Sequence, residues 1–356
     1  MKKEIDHIKS VKKPLFSILK GIGITLVVTG HSGCPDFIRN FIYSFHMPLF
    51  FIISGYLFKE TYFQEKNKFI QRRIFSLYVP FVIWSIVFIL LHNVFYHFNL
   101  INDSFSSYGT VNHIYTIKET LIRISKSFLL INSESFLGAF WFLKALFCGS
   151  ILFILIQSKI KNVFFIPLTC IIIILLRTFL ISKELITASG ETLHQAIYAL
   201  LFISIGHILK QQNIILSKFK ISIYLLILTI ISQFKSLSMN QDFLNCLIIP
   251  FSGSLGFIIL FNMCHSLKMG KNIFFKITAQ LGDYSLYILV FHFLMFKPIS
   301  FLKIKLYDEP TFLLGEFPII SIDNSFFWII YTTFSLVTSF VFGLLIRKGL
   351  QIIKAH

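Results

Sequence analysis

The sequence predicts an all-α protein, a polytopic bundle of about ten membrane-crossing helices. Three observations predict it. Of 356 residues, 55% are hydrophobic and only 14% charged, against about 25% charged in an ordinary soluble domain. Phenylalanine alone fills 44 positions, and the mean hydropathy is +0.76. The apolar residues also gather in runs close to the ~20 residues that span a hydrocarbon core. This composition excludes a disordered chain, a disulfide scaffold and an ordinary soluble enzyme. The five cysteines are scattered, with no CxxC or Cys/His ligand spacing. They favour neither a disulfide framework nor a zinc site, and no metal is expected.

The predicted spans are 15–33, 43–58, 74–98, 140–157, 162–181, 193–209, 221–234, 242–263, 284–302 and 326–346. The seventh is the shortest and weakest. The net charge of +17 would suit a nucleic-acid binder if it were clustered in one water-facing stripe. Instead it follows topology. With the N-terminus inside, 21 of the 33 Lys and Arg fall on the inner side, nine on the outer, and Lys20, Lys144 and Arg177 within spans. The carboxylates show the opposite bias. By the positive-inside rule both termini are cytoplasmic, with tails 1–14 and 347–356. Ser32-Gly33-Cys34 faintly suggests a lipoprotein cleavage site. However, His31 stands where a Leu-like residue is needed and nine spans follow, so the first helix is read as uncleaved. No internal repeat is visible, and 1–356 reads as one membrane-embedded domain. In the long outer loop 99–139, residues 114–131 space their apolar side chains like a helix lying on the membrane.

Ionisable residues inside spans are costly in lipid and therefore mark candidate sites. Lys20 and His31 are eleven residues apart on the first span. At about 100° and 1.5 Å per residue they share a face, about 16 Å apart along the axis. Lys20 could also simply snorkel to the inner headgroups. His46 opens the second span just before Pro48, which suits a first helical turn. Asp36 and Arg39 lie in the connection between the first two spans. A carboxylate near His31 or His46 would be the minimal arrangement for a general base, although Asp36 reads equally well as a plain loop residue. Arg72 and Arg73 precede the third span. They are topology determinants or, beside a pore, phosphate ligands.

The stretches KGIGITLVVTGH (20–31), FIYSFHMPLFFIISGYLF (41–58) and FIQRRIFSLYVPFVIW (69–84) together resemble the acyltransferase 3 family, and within it the fucose 4-O-acetylase-like branch. WFLKALF (141–147), AIYALLFISIGHILK (196–210) and LGDYSLYILVFHFLMF (281–296) resemble later blocks of that family, in order along nearly the whole chain. The resemblance implies a bacterial inner-membrane enzyme. It would take an acetyl group from cytoplasmic acetyl-CoA and pass it to a hydroxyl of a surface sugar, in lipopolysaccharide, capsule or a lipid-linked precursor. The family's Arg, ten residues, His pattern falls on Lys20 and His31, with His31 as the implied catalytic residue. Lysine keeps the charge but loses the bidentate fork. Of the family's Arg-x-x-Arg pair, Arg73 matches the first position and Ser76 stands at the second, with Arg72 adjoining.

Two readings follow. In the first, His31 deprotonates the sugar hydroxyl, Lys20, Arg72 and Arg73 hold Coenzyme A, and a fixed donor such as His46 or Ser54 stabilises the oxyanion. His292 is a weaker catalytic candidate. In the second, the chain is a transporter or flippase of a glycolipid or small solute, which intramembrane cations and histidines also suit. The lipid bilayer is a partner in both readings, and nucleic acid in neither.

Overall fold

The computed structural model describes residues 2–105, 112–132, 134–160, 162–185, 190–212, 214–234, 243–266, 272–322 and 326–355, with side chains from Pro14 to Ile352 apart from those of Phe234 and Phe243. Every regular element among them is helical, in agreement with the predicted class. In order these are α1 (Lys2–His31), α2 (Asp36–Tyr43), α3 (His46–Tyr56), α4 (Lys66–Arg73), α5 (Val79–His97), α6 (Ile117–Ser127) and α7 (Trp141–Gln157). Then follow α8 (Phe165–Ser182), α9 (Glu191–Gln211), α10 (Lys218–Phe234), α11 (Phe243–Ser266), α12 (Ile273–Asp283), α13 (Ser285–Leu306) and α14 (Phe327–Ala355).

Nine helical stretches among the described residues are long and apolar enough to cross a membrane. The remaining predicted span, the seventh (221–234), is α10, whose 17 residues fall just short of that length. Several predicted boundaries move, two of them at irregular turns. The second span begins earlier, at Asp36, because α2 runs almost directly into α3 across Ser44-Phe45, where Phe45 leaves helical geometry at φ −149°. The third begins at Lys66, because α4 continues through a wide π-helical turn at Ile74–Tyr78 into α5. Such turns interrupt the regular hydrogen-bond ladder and recur at functional sites. The predicted surface helix is α6, started by a capping box in which Thr116 and Glu119 satisfy each other's backbone N–H. The outer connection 235–241 lies outside the described residues.

The chain forms two compact units. The first comprises Met1–Gly23, Asp36–Tyr78 and Trp141–Ala279. Its centre is the α3–α9 crossing, where bare backbones touch. A Cβ on Gly55 would stand 1.9 Å from the Ile203 carbonyl oxygen, and one on Gly206 2.1 Å from that of Ile52. Small residues allow this approach, and close packing is what drives helices together in lipid, where there is no hydrophobic gain between them. Helix α8 shows the complementary face. Its buried residues Ile166, Cys170, Ile174 and Thr178 recur every fourth position, while Leu168, Ile172, Leu176 and Phe179 are exposed. An apolar exposure of that kind is a liability in water and the expected surface against lipid tails.

The second unit comprises Ile24–Pro35, Val79–Phe140 and Gln280–His356. Here α13 pairs with α14 through Ser300 and Tyr331 (2.9 Å) and through the Ser335 hydroxyl, which donates to the His292 carbonyl at 3.0 Å. Two lysines of α13 are buried, and both donate to backbone carbonyls. Lys297 holds Leu314 and Glu316, each at 2.7 Å, and Lys303 holds Ile322. They fasten the segment 307–322, which carries the short 3₁₀ helix Thr311–Gly315, along α13.

Candidate active site

His31 is the last residue of α1. The helix stops there because Ser32 bonds back to the Thr29 carbonyl and Gly33 adopts φ 79°, the left-handed geometry that ends helices and favours glycine. In the second unit the His31 ring lies 4.9 Å from Phe293 and 5.7 Å from His292, centroid to centroid. His292 is buried, and its Nδ1–H donates to the carbonyls of Leu289 (2.9 Å) and Ile288 (3.1 Å). The Phe317 ring closes on Phe293 at 4.7 Å, which brings the Lys297-held segment to the edge of this layer.

Helix α1 also carries Lys20, half-buried, in its first-unit half. The first unit contains the other residues picked out in the sequence. Asp36 opens α2. Its carboxylate, 80% exposed, is committed to Arg39 one turn on at 2.7 Å. His46 is buried and stacks on Tyr43, and its Nδ1–H donates to the Ile42 carbonyl at 2.9 Å. With its proton on Nδ1, His46 could act as an oxyanion donor through Nε2 only as an imidazolium. Arg73 donates to the Ser54 hydroxyl at 2.7 Å and lies 5.0 Å over Phe69. Arg72 donates to the Tyr62 hydroxyl at 2.6 Å and lies 5.5 Å over that ring. The structure thus ties Ser54, one of the predicted oxyanion donors, to Arg73. A hollow of about 520 Å³ is lined by Lys68, Gln71, Arg72, Phe75 and Ser76. The π-helical turn after Arg73 brings Phe75 and Ser76 to that hollow together with Arg72. Neither Arg72 nor Arg73 pairs with a carboxylate among the described residues, so their charge remains available to an anion.

The sequence reading passed over a second polar centre. In the second unit His92 is buried in α5. Its Nδ1–H donates to Glu134 and its Nε2–H to the His113 carbonyl, both at 2.9 Å. The Tyr115 ring stacks on it at 3.5 Å, and the Tyr115 hydroxyl bonds the other Glu134 oxygen at 2.9 Å. Both acceptors face the imidazole, so the group is fully satisfied and works as a clamp between α5 and the loop before α7. An ionisable residue inside an apolar run was the available signal. Its partner lies 42 residues away and gives no local one.

A family model described as "Acyltransferase domain" matches residues 16–346. The chain belongs to the acyltransferase 3 family. Over 152 residues it is 30% identical to a curated relative, Nodulation protein NolL of Mesorhizobium japonicum, an alignment covering 38% of this chain and 34% of that protein. The chain therefore spans about a third of the length of that relative. No solved structure matches. The chain is thus a member of this family with nine membrane-length apolar helical stretches among its described residues, as a polytopic helical membrane bundle requires.

Proposed function

We propose that this acyltransferase is an O-acetyltransferase of the bacterial inner membrane. It would move an acetyl group from cytoplasmic acetyl-CoA to a hydroxyl of a surface sugar, in lipopolysaccharide, capsule or a lipid-linked glycan. The observation that supports this most is the His31 imidazole at the end of the first membrane helix of an acyltransferase 3 chain. Arg72 and Arg73 bind the donor's phosphates, with their hydroxyl-bonded guanidinium groups free of carboxylates, and Lys20 adds charge along α1. His31 takes the proton of the acceptor hydroxyl as its oxygen attacks the thioester carbonyl. The C–S bond then breaks, the ester forms, and the imidazolium returns its proton to the departing CoA thiolate.

The test is transfer of radiolabel from acetyl-CoA by the purified protein in detergent, paired with mass spectrometry of surface polysaccharide from a deletion strain. Loss of acetyl groups from one sugar residue would name the acceptor. A purified protein that neither binds nor turns over acetyl-CoA would end this reading. Sidedness has its own test, because both termini are placed in the cytoplasm. In a chain stripped of native cysteines, one introduced at Asn40 should react with an impermeant thiol reagent in intact spheroplasts. One at Asn67 should react only after the membrane is opened, and the reverse pattern would put the arginines away from cytoplasmic acetyl-CoA.

A further inference from the structure

His292 has no role in the step just described, yet its geometry is that of a binding group. The ring is held rigidly. Nδ1–H is committed to two carbonyls of its own helix, Ser335 holds the residue's backbone oxygen, and Phe293 packs on the ring at 4.0 Å. With the proton on Nδ1, Nε2 is a bare lone pair. That nitrogen is buried and receives no hydrogen bond among the described residues. His92 has both nitrogens satisfied, whereas leaving the His292 acceptor orphaned in an apolar setting is costly, and a donor from a bound molecule would remove that cost.

We propose that His292 Nε2 accepts a hydrogen bond from a second hydroxyl of the acceptor, on the carbon next to the one acetylated, so that the acceptor is a vicinal diol. This rests on the reading of His31 as the base. The chemistry of a bare imidazole nitrogen selects the group. It needs an O–H or N–H donor and offers nothing to a thioester carbonyl, an ether oxygen or an ionised phosphate. The spacing then selects the pattern. With ring centroids 5.7 Å apart, the two imidazoles can each hold an oxygen of one small acceptor at about 2.7–2.8 Å, and hydroxyls on adjacent ring carbons are the most compact pair that fits. Phe293 and Phe296 pack on the His292 ring, and Phe317 packs in turn on Phe293. A site built around one such bond rejects an analogue lacking the hydroxyl strongly, by up to about 10⁴-fold or more.

The experiment uses the full-length protein in detergent, radiolabelled acetyl-CoA, and octyl glycosides of glucose, galactose and mannose with their monodeoxy analogues. Nuclear magnetic resonance locates the acetylated carbon. For the wild type, removing the hydroxyl adjacent to that carbon should lower kcat/KM by at least about 100-fold, whereas removing a remote one should change it little. His292→Phe, which keeps a ring but no acceptor atom, should abolish the preference for the diol. His292→Gln, whose carbonyl oxygen can accept, should restore part of it. The KM for acetyl-CoA should stay as in the wild type for both variants. An adjacent-deoxy acceptor used as well as its parent would overturn the proposal without any variant being made. So would a diol preference that survives in His292→Phe. If His31→Ala transferred acetyl normally while His292→Phe still lost the preference, the base assignment would fail and the diol site would stand.

Discussion

The arginine pair of the first unit and the histidine layer of the second treat charge in opposite ways. Arg72 is exposed, and both guanidinium groups rest on aromatic rings and neutral hydroxyls. The Arg72 charge, kept in contact with water and without a carboxylate partner among the described residues, attracts an anion at little desolvation cost. His31 and His292 instead sit among phenylalanines, where polar interactions strengthen because water is excluded. In the proposed mechanism the first region binds the charged donor and the second moves the proton. The difference also explains why the two lysines of α13 do not belong with the arginines. Lys297 and Lys303 are cations too, but their donors are used up by main-chain carbonyls.

The largest expected effect breaks the buried side. His31→Ala should lower acetyl transfer by about 10²–10⁴-fold, the usual loss on removing a general base, with unchanged membrane insertion. Near-normal O-acetylation by a well-expressed variant would remove His31 from the chemistry. Next comes the clamp beneath the histidine layer. Lys297→Met orphans the carbonyls of Leu314 and Glu316, each worth about 1–3 kcal/mol when unsatisfied. The detergent-solubilised protein should melt several degrees lower, and protease should cut within 307–322 sooner. An unshifted melt would mean that those carbonyls find other donors.

A smaller effect belongs to the exposed side. Replacing Arg72 and Arg73 together with Gln should raise the KM for acetyl-CoA about 10-fold, the scale of one or two lost hydrogen bonds to a charged group. The KM for the acceptor should hold. If only topology changed, the pair would be positive-inside markers and the comparison would lose its first half.

The smallest effect sharpens the contrast at the membrane surface. Glu119, partly exposed at the first turn of α6, has its carboxyl drawn down from the ordinary 4.5 to about 2 by the His113 hydrogen bond and then by the Thr116 backbone N–H. A carboxyl lowered in the folded state stabilises that state above its ordinary value. That contribution is lost as the pH falls from about 4.5 toward 2. Thermal melts across this window should show a slight acid destabilisation in the wild type that Glu119→Gln lacks.

Much of this was legible before any coordinates. Apolar runs near twenty residues define membrane helices without reference to neighbours, so the class and most spans followed from local composition. Lys20 and His31 could be placed on one face because helical phase is a local property. The capped helix α6 was visible for the same reason, through its apolar spacing. The boundaries at Asp36 and Lys66 moved where helices are joined by an irregular turn that hydropathy does not register.

What the sequence by itself determined is therefore the set of helices, the topological charge bias and the family motifs that single out His31. Each depends on residues within one or two turns of one another. Only the tertiary structure decided the partners. It set His292 beside His31 from a point 261 positions later in the chain, and it turned Lys297 and Lys303 inward to carbonyls. It also joined His92 to Glu134 and committed the Asp36 carboxylate to Arg39. Whether a buried nitrogen is satisfied depends on groups that the packing of distant helices brings within about 3 Å, and no local pattern encodes that distance.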